Sequence, residues 1–242
     1  MSVLTLQLAG PLQSWGATAR FARRTTESAP TKSGVIGMLA AAAGIERGDD
    51  ARLEPLTALH FGVRIDQPGT RVRDFHTAHH AVTGKSMPLS ERFYLADAVF
   101  VAALEGDHAL LAQLHAALQN PVYLPFLGRR SCPPSAPVEI GLSDDASVMD
   151  ALRALPWRAS PWHTRPHRDL AEIELTVLRE ADPSDTGAAD TLRDQPLSFS
   201  AAHRRHALRT VVTDRVRVRN PFARPQPVRH DPFDALDEEK SA

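Results

Sequence analysis

The chain contains very little cysteine and very little lysine. Cys132 is the only cysteine among its 242 residues, which excludes an intrachain disulfide framework and a metal site built from several cysteines. Lysine occurs only at Lys32, Lys85 and Lys240, so arginine supplies nearly all of the positive charge. Arginine suits bidentate contacts with phosphate and stacking on bases. A GC-rich genome would favour arginine too, so the composition alone leaves both explanations open.

Long apolar runs are also absent. The longest, residues 35–45, is interrupted by Gly37 and Gly44 and is too short to span a bilayer. The first nine residues have neither the basic start nor the apolar run of a secretion signal. We therefore expect a cytoplasmic protein with no membrane partner. Its apolar fraction of 43% and charged fraction of 24% are those of an ordinary globular protein.

The periodicity of apolar residues predicts a β-α-β-β-α-β order in the first part of the chain. Strands are predicted at 3–8, 57–65, 93–104 and 138–142, and helices at 31–43 and 107–119. This order is that of the split βαβ arrangement, the ferredoxin-like or RRM-like fold. The sequence therefore predicts an α+β protein with a ferredoxin-like RNA-binding domain in residues 1–142.

Two regions depart from that pattern. Residues 70–92 are rich in basic side chains and poor in large apolar ones, and we expect them to form an extended thumb or hairpin arm, because long segments of this kind tend to be functional. Residues 143–230 are predicted to form a basic, β-rich C-terminal extension or a small second subdomain. Residues 231–242 form an acidic tail.

The block from Gly10 to Gly44 suits an anionic ligand. Its segment Pro30-Thr31-Lys32-Ser33-Gly34 opens the predicted helix and places free backbone N–H groups, two hydroxyls and one ammonium at the positive end. The glycines of a nucleotide-binding P-loop are missing, which excludes ATP or GTP hydrolysis of that type. A plain N-cap is the alternative interpretation, and the nearby arginines favour the anion site.

Further segments suit contacts with nucleic acid. Residues 127–134 place two arginines directly after a glycine, and residues 203–229 contain eight arginines against one aspartate. Clustered arginine is typical of nucleic-acid backbone binding, and a solvated basic face is the alternative. Trp15 offers either a ring for base stacking or an anchor for the core. The aromatic signature of an RNA-recognition sheet is absent, so we expect loops, arm and helix end to hold the nucleic acid.

The histidines of the arm have a spacing that suits a metal ion, and His76 suits a general base. No second cluster and no carboxylate pair accompanies His76, His79 and His80 in the sequence. We therefore expect no metal, no cofactor and no catalytic residue.

Four blocks carry a resemblance to a known family. They are Gly10-Pro11-Leu12-Gln13-Ser14-Trp15-Gly16, Pro30-Thr31-Lys32-Ser33-Gly34-Val35-Ile36-Gly37, Leu127-Gly128-Arg129-Arg130-Ser131-Cys132-Pro133-Pro134 and Arg193-Asp194-Gln195-Pro196-Leu197-Ser198-Phe199. In their order and spacing they resemble the CasD family, a subunit of the type I-E Cascade complex of CRISPR antiviral defence. The resemblance implies a protein that binds the 5′ handle of the guide RNA and caps the backbone filament of this ribonucleoprotein complex.

The same resemblance implies a set of partners. They are the guide RNA, the backbone subunit and the large subunit, with target DNA contacted only indirectly through pairing with the guide. The candidate RNA-binding residues are Gln13, Ser14, Trp15, Arg23, Arg24, Thr31, Lys32, Ser33, Arg71, Arg73, His76, His79, Lys85, Arg129, Arg130, Arg204 and Arg205.

The resemblance implies no catalysis, because a separate subunit cleaves the guide precursor in type I-E systems. Relatives in another subtype do cleave precursor RNA, and a metal-independent ribonuclease can work with a dispersed His, Lys or Tyr. An endoribonuclease that processes CRISPR repeat RNA is therefore the alternative function. A third possibility is an interaction scaffold whose arginines bind acidic surfaces of partner proteins.

Overall fold

Two β-sheets, flanked by short helices, make up the protein. The computed structural model describes residues 1–17, 23–144 and 147–224. The strands are β1 (Ser2–Ala9), β2 (Leu12–Gln13), β3 (Arg23–Arg24), β4 (His60–Gln67), β5 (Thr70–His76), β6 (Ser90–Ala96), β7 (Val99–Gly106), β8 (Glu139–Ser143), β9 (Glu172–Glu180), β10 (Asp190–Ser198) and β11 (Arg205–Arg219). The helices are α1 (Lys32–Ala42), α2 (Asp50–Thr57), α3 (His108–Gln119), α4 (Val148–Ala154) and α5 (Pro161–Thr164), followed by a 3-10 turn at Arg165–His167.

The larger sheet has seven strands in the order β10-β11-β9-β4-β7-β1-β8, and the pairs formed by its neighbouring strands are antiparallel. Apolar side chains alternate between its two faces, as the two-residue period of a strand requires. In β1, Leu4, Leu6 and Leu8 join the core cluster that includes residues of α1 and α3. Val3 points the other way and joins the cluster of α4. The sheet is therefore covered on both faces.

The structure is a mixed α+β fold built mainly from antiparallel strands. The predicted fold class, α+β, is therefore confirmed. The elements differ from the prediction in detail, and two of the differences change the order of helices and strands. Helix α2 occupies residues just before β4, because Asp49 caps it and Leu53 and Leu56 supply a short buried face. The predicted strand at 93–104 is two strands in different sheets, separated by a turn in which Asp97 has a φ of +56°.

The smaller sheet is organised around β6. Strand β5 pairs with it as a hairpin, from Thr70↔Ala96 to His76↔Ser90, and the short strands β2 and β3 pair with its two ends. Residues 70–92, expected to form an arm, therefore lie in a hairpin whose base is joined to the N-terminal segment of the chain.

The C-terminal strands continue the larger sheet. Strand β9 pairs with β4 from Gly62↔Arg179 to Arg64↔Val177, and β11 and β10 follow it to the edge. The larger sheet thus contains strands from both sides of residue 142. The division of the chain into two parts at that position stays a prediction. The acidic tail at 231–242 and residues 225–230 lie outside the described residues. Within the described part of the chain, none of the helices has the length and apolar character that crossing a membrane requires.

A buried ion pair fixes α4 and its following loop to the sheet. Arg64 and Asp66 of β4 have side chains that are 0% exposed, and the guanidinium donates to both carboxylate oxygens at 2.7 and 2.9 Å. Arg64 also donates to the carbonyl oxygens of Leu152, Leu155 and Pro156. Burial raises the pKa of Asp66, and the hydrogen bonds from Arg64 oppose that rise.

Removal of one partner from this pair is expected to be costly. Asp66→Ala leaves a buried guanidinium without its carboxylate, so the free energy of unfolding should fall by about 3–5 kcal/mol in urea titrations. Arg215→Gln is the matched control, because Arg215 is an exposed arginine that pairs with Glu174 at 2.7 Å. The control should cost less than about 1 kcal/mol. Equal losses for the two variants would contradict the role assigned to the buried pair.

Candidate nucleic-acid interface

A groove of about 920 Å³ runs along α1 and past its C-terminal end to Arg47. All four blocks that carry the family resemblance contribute to its lining: Ser14, Trp15 and Gly16 from the first, Thr31, Ser33, Gly34 and Gly37 from the second, Gly128, Arg130 and Pro133 from the third, and Phe199 from the fourth. Arg204 and His206 line it just beyond the fourth block. The groove therefore combines positive charge with apolar and aromatic surface.

The floor of the groove is a fully buried tryptophan. The indole N–H of Trp15 donates to Oε1 of Gln13 at 3.0 Å, and the amide of Gln13 donates to the carbonyls of Leu8 and Ala98. The ring packs on Gly34, where an added Cβ would lie 2.8 Å from its Cε3 atom. Trp15 therefore acts as an anchor of the core, the second of its two interpretations, and Gln13 holds it in place.

The N-terminus of α1 already holds an anion that the chain itself supplies. Thr31 caps the helix by accepting from the N–H of Gly34 at 3.3 Å, and the N–H of Lys32 donates to Oδ2 of Asp194 at 2.8 Å. The Lys32 ammonium, 3% exposed, donates to Oε1 of Glu180 at 2.7 Å. Burial lowers the pKa of Lys32, and Glu180 opposes that shift. Thr31 and Lys32 thus have intramolecular partners, while Ser33 is partly exposed and lines the groove.

The loop 127–134 sends its two arginines to different surfaces. Arg130 is exposed and lines the groove. Arg129 donates from Nη2 to the carbonyl of Arg24 at 2.9 Å, and its guanidinium lies 4.7 Å from the centre of the Tyr94 ring. Gly128, which directly precedes the two arginines, has a φ of +83°.

Hydrogen bonds within the loop and to the first block hold it in place. The carbonyl of Leu127 accepts from the N–H of Ser14 at 3.0 Å, and the N–H of Leu127 donates to the carbonyl of Cys132 at 2.8 Å. The hydroxyl of Ser14 donates to the carbonyl of Phe93 at 3.0 Å, so Ser14 connects the loop to β6. Burial raises the pKa of the Cys132 thiol, so the thiol stays protonated at neutral pH and acts as a small core residue.

The second surface is a cluster of arginines where the hairpin joins the body of the protein. We call it the arm base, and it consists of Arg23, Arg24, Arg71, Arg73 and Arg129. These residues surround β6, because β3 and β5 pair with it. The register places Arg23, Arg71 and Arg73 on one face of the smaller sheet. Arg24 and the Tyr94 ring, against which Arg129 packs, lie on the other face. Arg71 donates to the carbonyl of Thr26 at 3.2 Å. Glu91 lies 3.8 Å from Arg23 and 3.7 Å from Arg73. Arg23, Arg24, Arg71 and Arg73 are exposed, and one carboxylate near two of them leaves the cluster strongly positive.

The remaining predicted residues lie apart from both surfaces. His76, on the arm, pairs with Asp74 at 2.7 Å. His79 and Lys85 are exposed at the tip of the hairpin, and Arg205 lies 3.9 Å from Asp50 of α2. In residues 1–17, 23–144 and 147–224, no group of three His, Cys, Asp or Glu side chains comes together as a metal site requires.

Several groove residues were not predicted from the sequence, among them Tyr123, Leu124 and His206. Tyr123 and Leu124 form part of its wall and are 60% and 81% exposed. Tyr123 and Leu124 follow the end of α3 within five residues, and a short exposed segment of this kind has no periodicity that would mark it. His206 lies two residues beyond Arg204, and burial, together with the charge of Arg204, lowers its pKa. Its imidazole is therefore neutral near pH 7.

The close approach of Gly128 to Ser14 should make alanine at this position costly. An added Cβ would collide with the carbonyl oxygen of Ser14, and the positive φ adds strain. Gly84→Ala is the matched control, because Gly84 has a φ of +67° with nothing within 4 Å of its added Cβ. We expect Gly84→Ala to cost about 1–2 kcal/mol and Gly128→Ala to cost about 1–3 kcal/mol more, measured by urea unfolding. Similar losses would mean that the loop yields to the added methyl group.

Comparison with known proteins identifies the family. The family described as CRISPR-associated protein (Cas_Cas5) matches residues 3–212. The CRISPR system Cascade subunit CasD of Escherichia coli (strain K12) is 36% identical over 169 residues, which are 62% of this chain and 75% of that protein.

Two solved structures are similar over nearly the whole chain. One, titled "CRISPR RNA-guided surveillance complex", has a TM-score of 0.72 and 31% identity and covers 99% of this chain and 98% of its own. Another, titled "Crystal structure of Cas protein", has a TM-score of 0.67 and 34% identity. The match covers 91% of this chain and 99% of that chain. The resemblance to CasD carried by the four blocks is therefore confirmed, and this protein belongs to the Cas5 family of CRISPR-associated proteins.

Proposed function

We propose that this protein is a non-catalytic subunit of a type I-E CRISPR surveillance complex, in which it binds the 5′ handle of the guide RNA and caps the backbone filament. The observation that carries the proposal is the position of the loop 127–134. Its consecutive residues Arg129 and Arg130 join two basic surfaces, the arm base and the groove. A polyanion that follows both surfaces fits this arrangement better than a small ligand does.

The chemistry of the two surfaces suits single-stranded RNA. Exposed guanidinium groups bind phosphate without regard to sequence, and the arm base offers several of them. The groove adds Ser33 as a hydroxyl partner and the exposed ring of Tyr123 as a surface for base stacking. Its volume of about 920 Å³ is at the upper end of the range for small-molecule sites, so it has room for a nucleotide.

The topology supports a ferredoxin-like core. Strands β4, β7, β1 and β8 are neighbours in that order and pair antiparallel. Helix α1 follows β1 and helix α3 follows β7. We infer from this order that residues 1–142 have the split βαβ arrangement, with the hairpin inserted between its second and third strands.

The arm supports a role in assembly. Its tip exposes large apolar side chains, with Val82 88% exposed and Met87 and Leu89 about half exposed. Exposed apolar surface of this kind marks an interaction site. We assign the tip to the adjacent backbone subunit. The relative from E. coli is named as a Cascade subunit, which supports assembly with a backbone and a large subunit, with target DNA contacted indirectly through the guide.

Binding of the handle should depend on arginines of both surfaces. We expect Arg130→Ala, Arg204→Ala and Arg71→Ala each to weaken binding of a repeat-derived handle RNA by about tenfold, measured by fluorescence anisotropy with the backbone subunit present. Each should also reduce the slope of log affinity against log salt by about 1. Arg217→Ala is the control, an exposed arginine of β11 next to Glu174. Equal affinity for the handle and for scrambled RNA would refute the proposal.

A guide-processing ribonuclease is the second candidate, because His76 and Asp74 form a histidine–carboxylate pair at 2.7 Å on the exposed arm. The test is incubation of the protein with unprocessed repeat RNA in EDTA. We expect no cleavage at a defined site. Specific cleavage that is lost in His76→Ala and kept in His80→Ala would overturn the non-catalytic assignment. His80 is the matched control because it lies on the same arm and its ring accepts from the backbone N–H of Thr83.

A further inference from the structure

Asp194 is a buried carboxylate in a strand at the edge of the sheet. Its side chain is 0% exposed. The step from Leu192 to Gln195 on β10 opposes the shorter step from Arg209 to Ala207 on β11, so β10 contains an extra residue at this point. Such a bulge changes the direction of a side chain relative to a regular strand. Here Asp194 accepts hydrogen bonds from the first turn of α1 and from β11.

Three hydrogen bonds hold the carboxylate of Asp194. Its Oδ2 accepts from the N–H of Lys32 at 2.8 Å and from Nη2 of Arg209 at 2.7 Å, and its Oδ1 accepts from Nε of Arg209 at 2.9 Å. The guanidinium thus binds both oxygens of the carboxylate. A bidentate pair of this kind sets an orientation as well as a distance.

A second carboxylate extends the contact to β9. Glu180 accepts from the Lys32 ammonium at 2.7 Å and lies 3.7 Å from Nε of Arg209. Its other oxygen accepts from the N–H of Phe61 in β4 at 3.1 Å. The buried charges therefore tie α1 to β9, β10 and β11 in one network. Removal of one charge leaves the others without full compensation.

The network lies at the base of the hairpin that forms one wall of the groove. Beyond Asp194, the chain passes Phe199, which packs on Gly37 of α1, and returns through Arg204 and His206. Arg130 of the loop 127–134 lines the same groove. Asp194 binds α1 one residue before Ser33, which also lines the groove, so the same contact determines how the β10–β11 hairpin stands relative to the helix.

We propose that Asp194 is a positioning residue for the groove, which holds Arg204 and His206 of the β10–β11 hairpin in the lining that they share with Arg130. It acts through Arg209 and the first turn of α1 and does not touch the ligand. The effect of Asp194 on RNA binding rests on the proposed function. The effect of Asp194 on the position of the hairpin does not depend on that function, and each effect has its own experiment.

The position of the hairpin is tested without RNA. In Asp194→Asn, which keeps the shape of the side chain and removes its charge, amide hydrogen exchange in the paired strands of the hairpin, at 190–198 and 205–211, should be at least about tenfold faster than in the unaltered protein. Exchange at 127–133 and at 70–92 should be unchanged, since neither segment contacts the network. Unchanged exchange at 190–198 and 205–211 would overturn the inference whether or not the groove binds RNA.

The effect on the ligand is tested by a double-mutant cycle with the handle RNA and the backbone subunit. Arg204→Ala should cost about tenfold in affinity in the unaltered protein and less than about threefold in Asp194→Asn, whereas Arg130→Ala should cost about tenfold in both. Equal costs of Arg204→Ala in both backgrounds would overturn the inference. A loss of stability alone would lower both costs together.

Two further outcomes are distinguishable. If neither Arg204→Ala nor Arg130→Ala changes the affinity of the unaltered protein for RNA, the groove is not the RNA site. The proposed function is then wrong for the groove. The hydrogen-exchange measurement still decides whether Asp194 positions the hairpin. If Asp194→Asn does not fold, Arg209→Lys replaces it in both experiments. Lysine keeps the charge and loses the bidentate contact, so it should loosen the hairpin in the same way.

Discussion

The groove depends on the close approach of two glycines to Trp15 and to the residue before it. A Cβ at Gly34 would lie 2.8 Å from the Cε3 atom of Trp15, and a Cβ at Gly128 would collide with the carbonyl oxygen of Ser14. Helix α1 therefore reaches the ring, and the loop 127–134 reaches the backbone beside it, only because neither position has a side chain. The backbone of Trp15 adds contacts with Thr26 and Glu27. Segments far apart in sequence therefore meet at one residue, and the arginines of the loop take their positions from that contact.

The arginines of the protein have two different roles. Arg64 and Arg209 are buried with carboxylate partners and hold elements of the larger sheet together. The arginines of the arm base stand mostly in solvent, and their few contacts are with backbone carbonyls, aromatic rings and one shared carboxylate. The near absence of lysine suits both roles, because a planar guanidinium forms bidentate pairs in the interior and binds phosphate at the surface. The net charge of the whole chain is near zero. The buried arginines are nevertheless neutralised by carboxylates, whereas most arginines of the arm base are not.

Local pattern predicts much of the fold and only part of the site. The alternation in β1, the Thr31 cap of α1 and the Leu111 face of α3 are short-range signals, and each element is present. Helix α2 has only eight residues with an internal proline, which makes its period too short to recognise. The motif blocks predict which segments form the groove. They do not predict that Asp194 occupies the helix N-terminus, because its partner Lys32 lies 162 residues away and no local pattern carries that pairing.

The separation of Arg129 and Arg130 makes the length of their loop as important as its composition. The side chains leave the backbone at adjacent residues and serve different surfaces, so insertion or deletion of a single residue would move both side chains away from their present positions. Substitution of either arginine removes one contact, but a change in loop length would alter both surfaces at once. The hydrogen bonds of Leu127 with Ser14 and Cys132 fix the loop in place. The number of residues in the loop therefore determines the distance between the two basic surfaces.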